Sequence, residues 1–330
     1  MKIQIGIVGT GGIATDRHIP TFMQLQEKCD VSAVYDVDVE KAARVGEAVG
    51  ANVYSSYEDM LEHVDAVCIC TPNAFHADLA IAALDAGVHV FCEKPMAISS
   101  TDAARMNGAA KRSGCVLAIG FHYRFMHNVQ VAKKQMASIG DPLVVRVRAM
   151  RRRKVPGWGV FTYKSLQGGG SLIDYGCHLL DTALWLIGNL KAVEVTGATY
   201  NRLSKNPHLV NDWGVVDYAT FEVDDHATAY IRFEGGASLL LECSWAANIK
   251  EDTEEISISG SDGGISVFPL ELYQDAAEQG EALSNDSYEI AQAQNFIGAC
   301  LGQETLVVQP EEAMQVTEVI EQIYESAEQG

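Results

Sequence analysis

Short apolar runs alternate with segments of helical spacing through the first third of the chain. The strand-like runs are KIQIGIVG, VSAVYD, DAVCICT, HVFCE and CVLAIGF, with a weaker one at ANVYS. Between them lie segments such as DVEKAARVGEAVG and HADLAIAALDAG, which have helical spacing and end at a glycine. This alternation predicts an α/β fold, a doubly wound parallel sheet with helices on both faces, and we assign it to residues 1–123.

The pattern changes after about Arg124. Longer strand-like runs follow, including PLVVRVRAM, AVEVTGATY, VVDYATFEV, HATAYIRFEGGASLLLECSWAA and EISISGSDGGISV. The EGGA and SDGG junctions are typical of hairpin turns, and two helical segments, YEIAQAQNFIGACLG and PEEAMQVTEVIEQIYESAE, close the chain. We therefore predict that residues 124–330 form a second, α+β domain with a largely antiparallel sheet.

Composition narrows the class of protein. The 330 residues suffice for two domains, and the formal net charge of −20 argues against nucleic acid or an anionic membrane as a partner. No apolar run has the length that crosses a bilayer, and the N-terminal run enters a glycine loop, unlike a signal peptide.

The eight cysteines form no C-x-x-C pair. Cys68 and Cys70 would share one face of a strand, so a metal site is an alternative there, but we favour buried reduced thiols. We accordingly predict no metal ion and a cytoplasmic location.

The segment IGIVGTGGIA has the G-x-G-x-x-A spacing of a dinucleotide-binding loop between a strand and a helix. Small residues let the backbone turn tightly and approach a pyrophosphate, and the helix N-terminus supplies amide donors. The residues predicted to bind the cofactor here are Gly9, Gly11, Gly12 and Ile13. Asp36 follows the second strand, where a carboxylate binds the ribose hydroxyls; because no arginine is nearby, NAD is favoured over NADP. The alternative is an ordinary strand-to-helix turn with a surface aspartate.

The segment CTPNAFHADLA follows the fourth strand, at the edge where doubly wound sheets bind ligands. Thr71, Pro72 and Asn73 are predicted to line the cofactor, and His76 to reach its ribose or nicotinamide. The alternative is a helix start, with Asn73 as the N-cap and His76 in the first turn.

The fifth strand ends in the sequence Glu93-Lys94-Pro95 at the same edge. A lysine desolvated there can move a proton or polarise an alcohol oxygen, while Glu93 holds Lys94 or a cofactor hydroxyl. A cis bond between Lys94 and Pro95 would aim the side chain. The alternative is a solvated surface ion pair.

Together with GGGSLIDYGCHLLD later in the chain, the glycine loop and the E-K-P sequence resemble the Gfo/Idh/MocA family of nicotinamide-dependent oxidoreductases, the glucose–fructose oxidoreductase and inositol dehydrogenase group. The resemblance covers essentially the whole chain. It implies a Rossmann domain and a second domain with a large open sheet that supports homodimers or homotetramers. It also implies that Lys94 lies near the nicotinamide, and it places the catalytic aspartate and histidine at Asp174 and His178.

Proteins of this family often carry an asparagine in the segment that reads IGFHYRFM here, where this chain has His122. Arg124 matches the usual arginine of the segment, and either a contact to cofactor or substrate or a structural role between domains is expected of it.

Asp174 and His178 lie four residues apart, beside an apolar stripe, so both can face one site on a helix. The three glycines before them, residues 168–170, would let the backbone pass close to a ligand. The alternative is an S-x-x-D capping box formed by Ser171 and Asp174, with His178 as a half-buried structural residue.

These residues predict a hydride transfer between a secondary alcohol of a sugar, sugar derivative or polyol, such as an inositol, and the nicotinamide. Either His178 or Lys94 takes the hydroxyl proton, and Asp174 orients the substrate or His178. Two alternatives are a glycoside-cleaving enzyme that oxidises its substrate transiently with retained NAD, and a nucleotide-sensing regulator.

Two further features lie before the site helix. Residues 151–154, RRRK, form a basic cluster that would bind an anionic substrate group, an oligomer partner or solvent. Trp158 and Tyr163 would form a platform for a sugar ring or pack in an interface or core.

Overall fold

The computed structural model describes residues 2–274, 277–280 and 287–329. The chain divides into two compact units, Met1–Phe125 with Ser287–Met314, and Met126–Asp286 with Gln315–Gly330. No helix within the described ranges is both long and apolar enough to cross a membrane.

The first unit is built on a parallel six-stranded sheet of order β3-β2-β1-β4-β5-β6. Its strands are β1 (Ile3–Val8), β2 (Cys29–Tyr35), β3 (Asn52–Tyr54), β4 (Ala66–Ile69), β5 (His89–Cys92) and β6 (Leu117–Ile119). This order reverses direction between β1 and β4, which places the ligand-binding crevice of such sheets at their carboxyl ends. The six strands confirm the predicted Rossmann sheet.

Helices connect these strands. They are α1 (Ile19–Met23), α2 (Val39–Val49), α3 (Tyr57–Leu61), α4 (His76–Asp85) and α5 (Ser100–Ser113). The side chains of Asp38, Ser56 and Ser99 cap α2, α3 and α5 by accepting backbone N–H bonds. A π-helical segment, Ala14–His18, precedes α1, and such segments are frequent at functional sites.

The second unit contains a mostly antiparallel eight-stranded sheet of order β14-β13-β12-β11-β7-β10-β9-β8. Its strands are β7 (Pro142–Met150), β8 (Ala192–Tyr200), β9 (His226–Phe233), β10 (Ser238–Ser244), β11 (Thr253–Gly260), β12 (Gly264–Val267), β13 (Leu270–Gln274) and β14 (Ala277–Gly280). Only the pairing of β7 with β10 is parallel among the pairings within this sheet. Helices α6 (His127–Gln135), α7 (Lys164–Gln167) and α8 (Cys177–Leu186) belong to this unit, and α8 packs on β7 and β11.

Both hairpins lie where the sequence placed them, because EGGA joins β9 to β10 and SDGG joins β11 to β12. Gly235 and Gly236 take positive φ angles, which the tight turn requires of them. The run VVDYATFEV, however, was wrongly predicted as a strand. It is irregular, and Val215 and Tyr218 within it are exposed and bury little apolar surface.

The last two helices are α9 (Tyr288–Cys300) and α10 (Pro310–Gln329). The sequence placed all of residues 124–330 in the second domain, but Ser287–Met314 clusters with the first unit. The reason is packing: Ala293, Phe296 and Ile297 of α9 join the core that covers the Rossmann strands, and the ring of Phe296 lies 5.6 Å from that of Phe91.

Candidate active site

The glycine loop after β1 is open at Gly11 and tightly packed at Gly9. A Cβ on Gly9 would lie 2.9 Å from the carbonyl oxygen of Cys70, and its φ is +87°, so glycine is required there by the neighbouring strand. A Cβ on Gly11 would meet nothing within 4 Å. Gly11 lies at the bend directly before the helical segment, and Gly12 and Ile13 begin it, so the amides there and the open space suit a phosphate group.

Asp36 is tied to this loop. Its Oδ2 accepts hydrogen bonds from the backbone N–H and the hydroxyl of Thr10, at 2.7 and 2.9 Å, and Oδ1 accepts from Asp38 N–H at 2.8 Å. Because a carboxylate offers about four lone-pair positions, acceptor capacity remains for a ribose hydroxyl. Asp36 and the glycine loop are therefore held together by direct hydrogen bonds.

The structure gives His76 a role different from the predicted cofactor contact. The residue is fully buried at the start of α4, and its ring nitrogens lie 2.8 Å from Pro95 O and 3.1 Å from Thr71 O. Burial lowers the pKa of His76, against the effect of the two carbonyl groups. His76 thus links the turn after β5 to the end of β4.

Thr71, Pro72 and Asn73 are half-buried at the carboxyl end of β4, the edge that the sequence assigned to the cofactor. Asn73 does not occupy the N-cap position of α4, because it begins the 3-10 turn Asn73–Phe75 and α4 starts at His76.

Glu93 lies at the end of β5 and is buried. Its Oε1 is 2.6 Å from His18 Nε2, and its Oε2 accepts the backbone N–H of Lys94 at 3.0 Å. Burial raises the pKa of Glu93, but the bond with His18 and the charges of His18, Lys94 and Arg17 outweigh it and lower the pKa to about 2. Glu93 is therefore a carboxylate at neutral pH, and His18 donates to it through Nε2.

Lys94 is half-buried directly after this carboxylate, and the Lys94–Pro95 bond is cis, which confirms the bond geometry predicted from the sequence. The alternative of a solvated surface ion pair does not describe Glu93, because its partner is the buried His18.

A second buried group near Glu93 was missed by the sequence analysis. Arg17 Nη1 lies 3.2 Å from His122 Nδ1, and the ring of His122 stacks on Tyr288 with centroids 5.2 Å apart. Burial, followed by the charge of Arg17, lowers the pKa of His122 to about 3. His122 is thus neutral, and it accepts a hydrogen bond from Arg17. The sequence could not reveal this arrangement, because the stacking partner Tyr288 begins α9, which is distant in the chain.

The contacts of Arg124 are structural, which corrects its predicted assignment to the substrate-binding residues. Its side chain is fully buried, forms an ion pair with Glu312 and donates to Val307 O at 3.3 Å. These groups all belong to the first unit, so Arg124 fixes the start of α10 to it. This corresponds to the structural alternative, within one unit.

In the second unit, Asp174 and His178 lie one turn apart on a helical stretch that begins with the π-helical segment Leu172–Gly176 and continues as α8. Asp174 is half-buried and its Oδ2 accepts the indole N–H of Trp245 at 3.0 Å. His178 is 8% exposed. Trp245, fully buried after β10, is a partner that the sequence analysis missed.

The capping box between Ser171 and Asp174 is absent from this helix start. The hydroxyl of Ser171 instead donates to Asp224 Oδ2 at 2.8 Å. Asp224 also accepts from Gly170 N and Leu172 N, and its Oδ1 accepts from Tyr324 OH at 2.7 Å. A buried carboxylate therefore holds the loop that starts the site helix.

The triple glycine serves this packing, which corrects the prediction that it approaches a ligand. A Cβ on Gly170 would lie 1.9 Å from Asp224 O, and one on Gly169 would lie 2.1 Å from Tyr324 Oη. Gly168 ends α7 with a φ of +80°.

Aromatic side chains surround the basic cluster. Trp158 is 54% exposed and lies against Trp213 and Phe161, with centroid distances of 5.6 and 6.2 Å. The guanidinium of Arg151 lies 3.8 Å from the ring centre of Tyr175 and 4.5 Å from that of Trp213. This cation thus sits beside the residue that follows Asp174.

The other three cations of the cluster bind one loop of the same unit. Arg152 Nε donates to Ile249 O, Arg153 to Ala247 O and Asn248 Oδ1, and Lys154 pairs with Asp252 at 2.5 Å. Their donors are therefore directed toward residues 247–252, an outcome that the sequence analysis did not consider.

Comparison with known proteins adds sequence relatives to this geometry. The family described as "Oxidoreductase family, NAD-binding Rossmann fold" matches residues 3–121, and the "GFO/IDH/MocA C-terminal domain" matches residues 129–266. D-glucoside 3-dehydrogenase of Escherichia coli K12 is 33% identical over 341 residues, covering 99% of this chain and 96% of the relative. Glucose-6-phosphate 3-dehydrogenase of Bacillus subtilis 168 is 29% identical over 238 residues, covering 69% and 63%.

Solved structures have the same fold. An oxidoreductase domain protein from Kribbella flavida superposes with a TM-score of 0.86 at 23% identity, covering 99% of this chain and 97% of that one. The combination of a Rossmann sheet with a mostly antiparallel open sheet is thus the fold predicted from the sequence.

Proposed function

Because this chain belongs to the Gfo/Idh/MocA family of NAD-binding oxidoreductases, we propose that it oxidises one secondary hydroxyl of a sugar or sugar derivative. As a dehydrogenase it acts on CH–OH groups. The observation that carries the proposal is the ionised Glu93, held by His18, directly before Lys94 at the carboxyl edge of the Rossmann sheet.

The residues around the glycine loop fit a dinucleotide. The open space at Gly11, the helix start at Gly12 and Ile13, and the spare acceptor capacity of Asp36 suit a pyrophosphate and a ribose. We assign Thr71, Pro72 and Asn73 to the same cofactor. Bound NAD supplies the hydride acceptor, and the protein supplies position and proton transfer.

Three side chains are assigned to the chemistry. The Lys94 ammonium donates to the reacting oxygen and stabilises its developing negative charge. His178 accepts the hydroxyl proton at a ring nitrogen. Asp174, oriented by the indole of Trp245, accepts a hydrogen bond from a neighbouring hydroxyl or orients His178. The assignment of both units to one reaction is a proposal, supported by the chemistry of these groups.

The proposed substrate is an uncharged D-glucoside oxidised at its 3-hydroxyl. The name of the E. coli relative describes this reaction, whereas the B. subtilis relative is named for a sugar phosphate. Three of the four cations of the 151–154 cluster are directed toward the 247–252 loop, which disfavours a phosphate-binding role for them. Exposed Trp158 offers an aromatic face to a pyranose ring.

A substrate screen followed by NADH absorbance tests this function. Methyl glucosides, glucose, glucose 6-phosphate, uronates and inositols are compared with NAD and with NADP. We expect NADH to accumulate with the glucosides, and Lys94→Ala to lower kcat/KM about 100-fold or more. Aglycone release without net NADH would indicate the glycoside-cleaving alternative. NAD binding without turnover of any substrate would indicate a nucleotide sensor.

Whether Lys94 and His178 act in one step is tested by a double-mutant cycle. Lys94→Ala, His178→Ala and the double variant are compared in kcat/KM. Groups that act together lose activity non-additively, so the double variant is expected to resemble the worse single variant. Strictly multiplicative losses would contradict a shared step.

We also propose that the second unit binds the substrate and supports a homodimer or homotetramer through the open face of its sheet. Tyr230 of β9 and Leu240 of β10 are paired in register there and are 41% and 45% exposed. Light scattering tests this: Tyr230→Lys with Leu240→Lys should yield monomers, whereas Val39→Lys on α2 of the other unit should not. An assembled double variant would refute the interface.

A cytoplasmic location remains a prediction, supported by eight cysteines that all carry free thiols. Cell fractionation, with the reduced state of the thiols measured by alkylation, tests it. Recovery from an oxidising compartment would contradict it.

A further inference from the structure

We propose that His18, Cys68 and Cys70 form a binding site for a thiophilic divalent ion of the zinc group. Cys68 and Cys70 belong to β4 and the segment just after it, and His18 comes from the π-helical segment after the glycine loop. One ligand atom from each lies within 4.8 Å of the other two. The sequence showed the two cysteines but could not show the histidine, which is fifty residues away in the chain (68 − 18).

The sulfur atoms have the separation that a tetrahedral ion requires. The Sγ atoms of Cys68 and Cys70 are 3.6 Å apart. With Zn–S bonds of about 2.3 Å and tetrahedral angles, two thiolates on one ion lie about 3.8 Å apart. The two cysteines therefore need to move by only a few tenths of an ångström. A third ligand from imidazole leaves the fourth position for water.

The charges balance at this buried place. All three side chains are buried, so an isolated thiolate would be costly there. A divalent ion replaces the two thiol protons, two S–H bonds are exchanged for two metal–sulfur bonds, and both protons leave to solvent. No electron is transferred, and any proton that His18 carries leaves to solvent with the two thiol protons. The resulting ion, two thiolates and a neutral imidazole carry no net charge among themselves, and Glu93 remains a carboxylate beside them.

The site is coupled to the residues around Lys94. His18 contacts Glu93, and Glu93 accepts the backbone N–H of Lys94. An ion on the imidazole therefore changes the donor that holds Glu93, whichever ring nitrogen binds. We expect zinc to inhibit the dehydrogenase reversibly. Excess metal would thus lower activity through the contact of His18 with Glu93, next to Lys94.

The full chain is titrated with Cd²⁺, reading the ultraviolet thiolate-to-metal charge-transfer band and proton release. Wild type should saturate at one ion with at least two protons released, two from the thiols and a further one where His18 is charged. Cys68→Ala with Cys70→Ala should lose the band. Cys92→Ala, a fully buried thiol on the adjacent strand β5, should keep it. If the double variant unfolds, the single Cys70→Ala variant is used, with its melting temperature measured; its affinity should fall at least tenfold.

Several outcomes would overturn the proposal. They are an equal band in the double variant, equal loss in Cys92→Ala, undiminished affinity of a folded Cys70→Ala variant, or a band that develops only after urea unfolds wild type. These readouts do not need turnover, so they stand apart from the test of dehydrogenase activity. In an active enzyme, zinc inhibition reversed by EDTA should be absent from the double variant.

Discussion

Replacing Glu93 by glutamine removes one buried charge while keeping the size of the side chain. Burial favours the protonated acid, but His18, Lys94 and Arg17 favour the carboxylate more strongly, and the pKa falls from 4.5 to about 2. A difference of that size corresponds to about 3 kcal/mol of folding free energy at neutral pH. Glu93→Gln is therefore expected to lower the free energy of unfolding by about 3 kcal/mol at pH 7.

The sign of the pH dependence follows from the lowered pKa. The folded protein holds the carboxylate more strongly than the unfolded chain, so this stabilisation is full above the unfolded value and is lost as the pH falls toward about 2. By linkage, about 2 kcal/mol of it disappears between roughly pH 5 and pH 3. Glutamine does not titrate, so the variant lacks this component.

Urea unfolding of wild type and Glu93→Gln at a series of pH values measures the effect. The difference in unfolding free energy between the two proteins should shrink by about 2 kcal/mol from about pH 5 to pH 3. Glu62→Gln, at an exposed carboxylate after α3, is the matched control and should track wild type throughout. A wild-type to Glu93→Gln difference that stays constant over this range would refute the pairing of Glu93 with His18.

Three further variants test individual contacts. Gly11→Ala places a methyl group in open space, so the thermal midpoint should stay unchanged while the Kd for NAD, measured by calorimetry, rises at least tenfold; an unchanged Kd would contradict cofactor binding there. Gly170→Ala brings a methyl group against Asp224 O and should cost about 2 kcal/mol in urea unfolding, and a wild-type urea midpoint would contradict that close approach. Arg124→Met leaves Glu312 without its buried partner and should cost about 3 kcal/mol while KM stays the same, so a raised KM with unchanged stability would restore the substrate-binding role.

The elements that the sequence predicted correctly depend on neighbours along the chain. Apolar alternation and glycine punctuation placed all six Rossmann strands and both hairpins, since period and turn chemistry are local properties. The E-K-P sequence and the glycine loop were found for the same reason. The failed strand at VVDYATFEV shows the limit: a local apolar run forms a strand only where another strand pairs with it.

Partners distant in sequence were beyond such patterns. His18 and Glu93 are separated by 75 residues, and Arg124 and Glu312 by 188. Ser171 shows how a local rule is overridden, because its hydroxyl fits a capping box by spacing but donates to Asp224, 53 residues away. A buried carboxylate that accepts several N–H and O–H bonds outcompetes a solvent-exposed cap.

These long-range partners give Arg124 and the histidines of the first unit different roles. His76 and Arg124 are fully buried and hold backbone carbonyls or a carboxylate, so they fix the turn after β5 and the start of α10. His18 also is buried, but the carboxylate it holds is bonded to the amide of Lys94. His18 is therefore connected to the backbone of Lys94 through two hydrogen bonds. The histidine whose contact leads to Lys94 is therefore one that no spacing rule selected.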